Sequence, residues 1–80
     1  MTKAEYGKCE KLLTEAIENA RCAKFLWKEY EKYSNENNNV EAEVNMRNSD
    51  QHYGYAEGIH QALAVLGFKH EKMKELSELL

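Results

Sequence analysis

From Tyr6 onward, apolar or small residues return at Cys9, Leu13, Ala16, Ala20, Ala23, Trp27 and Tyr30. The steps alternate between three and four, and residues so spaced share one face of an α-helix. Such alternation over more than three repeats is a heptad seam, the pattern of a helix that packs along its length against another. Leu12, Ile17, Leu26 and Tyr33 widen the stripe on its flanks. Ahead of it, Thr2-Lys3-Ala4-Glu5 has the form of a capping box, a hydroxyl for an early backbone N–H with a Glu three residues on to reciprocate. The pattern predicts one helix from about Lys3 to Tyr33.

The run Ser34-Asn35-Glu36-Asn37-Asn38-Asn39 interrupts it, because Ser and Asn side chains bond locally to backbone and compete with helix. Asn38, followed by Glu41, is a plausible cap for a second helix. Val40, Val44, Tyr55, Ile59, Ala62 and Leu66 fall on one face at about 100° per residue, which predicts a helix from about Val40 to Leu66. A later start is the alternative, since Asn48-Ser49-Asp50-Gln51 could itself serve as a cap. Gly67 reads as the C-terminal stop with Phe68 covering the end. Met73, Leu76 and Leu80 predict a last short helix over about His70 to Leu79.

Two long helices joined by a short polar loop, residues 34–39, form an antiparallel hairpin. Folded about residue 37, the chain sets Tyr30 against Val44, Trp27 against Arg47 or Asn48, and Ala23 against Gln51. Ala20 then meets Tyr55, Ala16 meets Gly58, Leu13 meets Ala62, and Tyr6 approaches Phe68. Large mostly opposes small, as close packing requires, and the row Gly54, Gly58, Ala62 is expected to let the backbones come near. The fold class is all-α: a single domain over residues 1–80, a two-helix hairpin with a short third helix.

Eighty residues bury only a modest core, and chains this short commonly rely on disulfides, a metal or self-association. Cys9 and Cys22 are the only cysteines. On one helix they stand about 20 Å apart, beyond disulfide reach, so they read as free thiols in a reducing compartment. Self-association into a helical-bundle homo-oligomer is the expected reinforcement. There is no signal-peptide pattern and no long uncharged apolar run, so a cytoplasmic protein without a membrane partner is expected. Net charge is −3 and no face forms a basic stripe, which argues against direct nucleic-acid binding.

The stretch from Met46 to Gly58, MRNSDQHYGYAEG, puts polar residues where core is expected. In the folded-hairpin reading, Arg47, Asn48, Gln51 and His52 look across at Ala23, Trp27 and Tyr30. Aromatic walls with converging polar groups are the makings of a small-ligand pocket, with Arg47 pairing a phosphate or carboxylate and Trp27 or Tyr30 stacking on a base. The competing reading is a hydrogen-bonded polar layer that sets register and oligomeric state. Phe25, Leu26, Tyr33 and Tyr53 lie off the seam near the same end, more apolar surface than one hairpin covers, and mark an expected contact surface for a second copy or another protein.

Catalytic constellations are weaker. Glu57-Gly58-Ile59-His60 has the Glu-x-x-His form of di-iron bundles, but the phase turns both ligands away from the expected core. Cys9 reads as a small seam hydrophobe, and Cys22 has no His within sequence reach. No Ser/His/Asp set or Gly-rich phosphate loop is present. The reading is of a protein that is not an enzyme and needs no cofactor or metal.

The run YGYAEGIHQALAVLGF, residues 53–68, following an acidic, Tyr-rich helix, resembles the small helical-hairpin accessory proteins encoded by phages and mobile elements of low-GC bacteria. Proteins of that kind include inhibitors of host defence: blockers of CRISPR nucleases, and oligomeric sponges that sequester nucleotide immune signals. The resemblance implies an anti-defence role in the host cytoplasm, exerted by binding. It leaves open whether the partner is a host protein, met through Phe25, Leu26, Tyr33 and Tyr53, or a nucleotide held near Trp27 and Arg47; the remaining alternative is a purely structural helical oligomer.

Overall fold

A computed structural model describes all residues, Met1 to Leu80. It contains three helices and no strands: α1 (Lys3–Asn35), α2 (Asn39–Val65) and α3 (Lys72–Leu79). The two long helices lie antiparallel, and the molecule is a rod 52 Å long and 17 Å by 16 Å across.

The helix ends follow from the residues found there. Thr2 Oγ1 accepts the Glu5 backbone N–H at 3.1 Å, and the Glu5 carboxylate accepts that of Thr2 at 3.4 Å, completing the capping box. At the far end Asn37 adopts φ +60°, the left-handed conformation that Asn tolerates better than most residues. The Asn38 N–H then donates to Tyr33 O at 2.9 Å and the Asn37 N–H to Ser34 O at 3.1 Å, the paired bonds of a Schellman turn. Asn38 also caps α2, its Oδ1 accepting the Glu41 N–H at 3.4 Å. One asparagine thus closes one helix and opens the next. The connection shrinks to Glu36–Asn38, and Ser34 and Asn35, expected in the loop, extend α1. Gly67, at φ +72°, closes α2 by the same device, with Phe68 N–H on Leu63 O at 3.0 Å and Gly67 N–H on Ala64 O at 3.0 Å.

The α1 seam lies where its spacing predicts. Cys9, Leu13, Ala16, Ile17, Ala20 and Ala23 are buried, while Tyr6 and Trp27 at its two ends stay partly exposed. The α2 face is different from the one expected. Its buried residues are Ala42, Ser49, Ala56 and Leu63, a strict seven-residue repeat. Val40, Val44, Tyr55 and Leu66, expected in the core, are exposed, as is Ala62, while Ile59 is half-buried at the edge of both stripes. The helix is turned by roughly one residue, about 100°.

Three hydrogen bonds between the helices give the register: Ser49 with Ala23, His52 with Asn19, and Tyr55 with Glu15. These pairs are centred between residues 35 and 36, short of the expected 37. The reason lies in α1. Ala16, Ala20 and Ala23 form a shallow floor, and the α2 face that comes closest is the one carrying Ala42, Ser49 and Ala56, because small residues let two helices approach where Val and Tyr hold them apart. Gly54 and Gly58 play no part in that approach: a Cβ at either position would meet no atom within 4 Å.

The third helix covers one groove of the hairpin. It runs parallel to α1, with His70 beside Glu10 at its start and Glu75 paired with Arg21 further on. Leu76 is fully buried, and Met73, Leu79 and Leu80 pack on the same core. Tyr6 meets Phe68 with ring centroids 5.2 Å apart, as the hairpin predicts. Every buried side-chain polar atom has a partner.

The two candidate faces of α2 make opposite demands on substitution. Ala56→Leu should destabilise the fold by about 1–3 kcal/mol through overpacking, whereas Ala62→Leu should stay within about 0.5 kcal/mol, both read from urea unfolding followed by helicity.

Candidate functional site: a half-open groove and an open seam

The third helix fills the α1–α2 groove only as far as Leu80. Beyond that point lies a half-open cavity of about 540 Å³, within the size range of ligand and peptide sites. Its floor is Ala20, Ala23 and Ser49. Ser49 is buried, and its hydroxyl donates to Ala23 O at 2.7 Å, so the floor presents no unpaired donor to a ligand. A serine hydroxyl lies only one bond past Cβ, and its reach to the α1 backbone shows how near the helices run.

Trp27 forms one wall, 45% exposed, with its ring tilted against Tyr30 at 4.8 Å between centroids. Tyr53 forms the other wall and donates its hydroxyl to Leu80 O at 3.1 Å. Charged residues stand on both rims: Lys24, Lys28 and Glu31 on α1, and Asp50 on α2.

Of the six residues expected to build a ligand pocket, only Trp27 lines this groove, with Tyr30 packed behind it. Arg47 pairs at 2.5 Å with Glu43 of its own helix, its side chain largely in solvent, and Asn48 and Gln51 are exposed. His52 turns toward α1. The Asn19 amide nitrogen donates to Glu15 O at 2.8 Å, which leaves its oxygen to accept from His52 Nδ1 at 2.6 Å. The rotation of α2 accounts for this: the turn that buries Ser49 carries Arg47, Asn48 and Gln51 out of the seam.

The four expected contact residues do not form one patch either. Tyr53 belongs to the groove. Phe25 is exposed and lies about 200° around α1 from Trp27. Leu26 is half-buried, and Tyr33 is half-buried with the Lys32 ammonium 5.6 Å from its ring centroid. Lys28, Asp50 and Leu79 were not singled out from the sequence. Charged residues on a helix surface look alike there until a neighbouring helix makes some of them the rim of a cavity.

A second feature is an exposed stripe of α2 that shares Val44, Tyr55 and Ala62 with the face expected to be core. Val44, Asn48, Gln51, Tyr55, Gly58, Ala62 and Val65 alternate at four and three along it and all are exposed, Tyr55 by 48% and Val65 by 87%. Tyr55 is tied to the hairpin by its hydroxyl, which donates to Glu15 Oε2 at 3.3 Å. Its phenol is raised from 10.0, first by loss of hydration beside α1, then by the charge and hydrogen bond of the Glu15 carboxylate.

No three His, Cys, Asp or Glu residues are grouped to share a metal ion. Glu57 accepts a hydrogen bond from Gln61 at 3.3 Å, and both cysteines are free thiols, Cys9 buried and Cys22 half-buried. No helix is long and apolar enough to cross a membrane. No family model matches the chain, and no curated protein or solved structure is significantly similar to it.

Because the Tyr55 phenol titrates higher in the fold than in the unfolded chain, its neutral form stabilises. That contribution is complete below about pH 10 and fades as pH rises through the folded value. The melting-temperature advantage of the wild type over Tyr55→Phe at about pH 8 should therefore shrink by about pH 11; an unchanged difference would show the Glu15 contact to be idle.

Proposed function

We propose that this protein acts without catalysis, as a self-associating helical hairpin that inhibits by occupying the surface of another macromolecule. The observation that carries the reading is the open seam of α2. A heptad-spaced stripe, with Val44 at one end, Asn48, Gln51 and Tyr55 in its middle and Gly58, Ala62 and Val65 toward the other end, is what a helix presents when it packs against a second helix, and here it is unoccupied. Two copies placing these stripes antiparallel would make an isologous four-helix bundle. Asn48 and Gln51 would then be the polar positions that set its register. The resemblance of residues 53–68 to phage and mobile-element accessory proteins supplies the class of target, a component of host defence.

A second reading is favoured by the groove. An indole wall with Lys24 and Lys28 on its rim is suited to a planar, anionic ligand, and a sponge for a nucleotide-derived immune signal would hold it there, away from Arg47. A ligand at a hundredfold excess over its Kd adds about 2.7 kcal/mol of stability. Screening cyclic dinucleotides and ADP-ribose derivatives by melting temperature therefore separates the two readings: silence is expected from a protein-blocking hairpin, and a rise of several degrees would establish the sponge.

Light scattering should find a dimer at tens of micromolar, and Gly58→Lys/Ala62→Lys should return it to a monomer of unchanged helicity, since neither position touches the core. A wild type that remains a single copy across that range removes the self-association. The target class is read separately, by phage plating on a defended bacterial host that expresses the protein. Plating should rise by orders of magnitude, and unchanged plating against both nuclease-based and nucleotide-signalling defences would remove the counter-defence role.

A further inference from the structure

We propose that Cys22 is a redox-sensitive thiol, activated by His52, that forms mixed disulfides with small disulfides carrying cationic arms. This is independent of the readings of the open seam and of the groove beside Trp27. Cys22 and His52 lie far apart along the chain. The antiparallel packing of α1 on α2 brings both to one shallow cavity of about 240 Å³, which Glu18 and Asn19 also line. There the ring of His52 is held in one tautomer. The Asn19 side-chain nitrogen donates to Glu15 O at 2.8 Å, so the amide oxygen is the atom that faces His52, and it accepts the Nδ1–H at 2.6 Å. Nε2 then carries the lone pair, and no group of the chain donates to it. Cys22 stands three residues past Asn19 on α1, a spacing that makes side chains neighbours on one face. Its thiol is free and half-buried.

Thiol, imidazole and orienting amide are the parts by which nucleophilic cysteines are activated. An unassisted thiol is only a few per cent ionised at neutral pH, and the thiolate is the nucleophile. Rotation about the Cα–Cβ bond of Cys22 sweeps its sulfur through the cavity that the His52 ring lines. The proton passes from Sγ to Nε2, and the imidazolium so formed is stabilised by the Asn19 oxygen on Nδ1–H and by the Glu18 carboxylate. Sγ attacks one sulfur of the incoming disulfide, the old S–S bond breaks, and the leaving thiolate takes the proton back from Nε2. The products are a mixed disulfide on Cys22 and one small free thiol. At this cavity Glu18 is the charged group of α1 and His52 the titratable group of α2, and α3 contributes none. A lone carboxylate on the rim favours ammonium arms over carboxylate ones. Cys9 is buried in the hairpin core and serves as an internal control.

The probes are cystamine, whose arms are ammonium groups, and glutathione disulfide, with adducts followed by intact mass and peptide mapping. At about pH 7, Cys22 should react with cystamine roughly tenfold faster than the same cysteine in a peptide of residues 18–26, ENARCAKFL, which keeps Glu18 and Asn19 but lacks His52. His52→Gln, which can still donate to Asn19, should bring the rate down to that of the peptide. Between about pH 7 and 8 the wild-type rate should stay nearly flat, whereas that of the variant should climb close to tenfold as the thiol ionises. Glu18→Lys should reverse the order of the two disulfides. The peptide comparison and the wild-type pH profile need no variant, so they decide the matter even if His52→Gln loses helicity. The proposal is overturned if Cys22 reacts no faster than the peptide, or if its rate climbs with pH as the peptide's does. It is equally overturned if His52→Gln keeps the wild-type rate, if the two disulfides react alike, or if Cys9 takes up the adduct first.

Discussion

How closely α1 and α2 can approach decides the rest of this molecule. Ala16, Ala20 and Ala23 leave α1 with almost no side-chain relief along its middle, so a helix face of small side chains can lie against it at close range. On α2 that face is Ala42, Ser49 and Ala56, one residue every second turn. Once it is chosen, every other residue of α2 is assigned a side. Leu63 goes inward to meet Phe68 and Leu76, and Val44, Tyr55 and Val65 go outward. The serine in the seam costs little, because its hydroxyl is taken up by the Ala23 carbonyl, and a buried hydroxyl with a partner avoids the penalty of an unpaired one.

Small residues in contact bury little apolar area, so the middle of the hairpin is close but not greasy. The larger burial is displaced toward the end where α3 docks. Leu13, Leu63 and Leu76 are the large side chains most fully removed from water, each contributing on the order of 1.5–3 kcal/mol, and Phe68 with Tyr6 and His70 forms an aromatic cap over them. At the opposite end, the three-residue turn Glu36–Asn38 holds the helices together by backbone bonds. The rod therefore has a packed end and a lightly packed end, and the groove beside Trp27 lies toward the second, where α3 no longer covers the pair.

Two surfaces of the rod are left unfilled. The open seam is what remains on α2 when its low face is used up by α1. The groove is the part of the α1–α2 furrow that α3 leaves uncovered. The two lie on different sides of α2 and face different directions. The ion pairs add little to the fold: Arg21–Glu75 and Arg47–Glu43 are largely exposed, and pairs of that kind contribute about 0–1 kcal/mol.

Much of the architecture was legible from residue order. Helix ends are local events, and Thr2 with Glu5, Asn38 with Glu41, and Gly67 with Phe68 act within a few residues of themselves. The α1 seam was equally legible, because its large residues and its alanines keep one phase, and so was the meeting of Tyr6 with Phe68. The face of α2 was not. Hydrophobicity along that helix favours Val40, Val44, Tyr55 and Leu66, and a pattern read from one helix alone does not contain the surface of the neighbour it packs against. The expectation that Arg47, Asn48, Gln51 and His52 look across at α1, as a pocket or as a polar layer, rests on that same phase. Which side of α2 turns inward is a property of two surfaces fitted together, so it was decided only when the chain folded back on itself. The local sequence determined where the helices begin and end; the closeness of their contact determined which of their faces is left exposed.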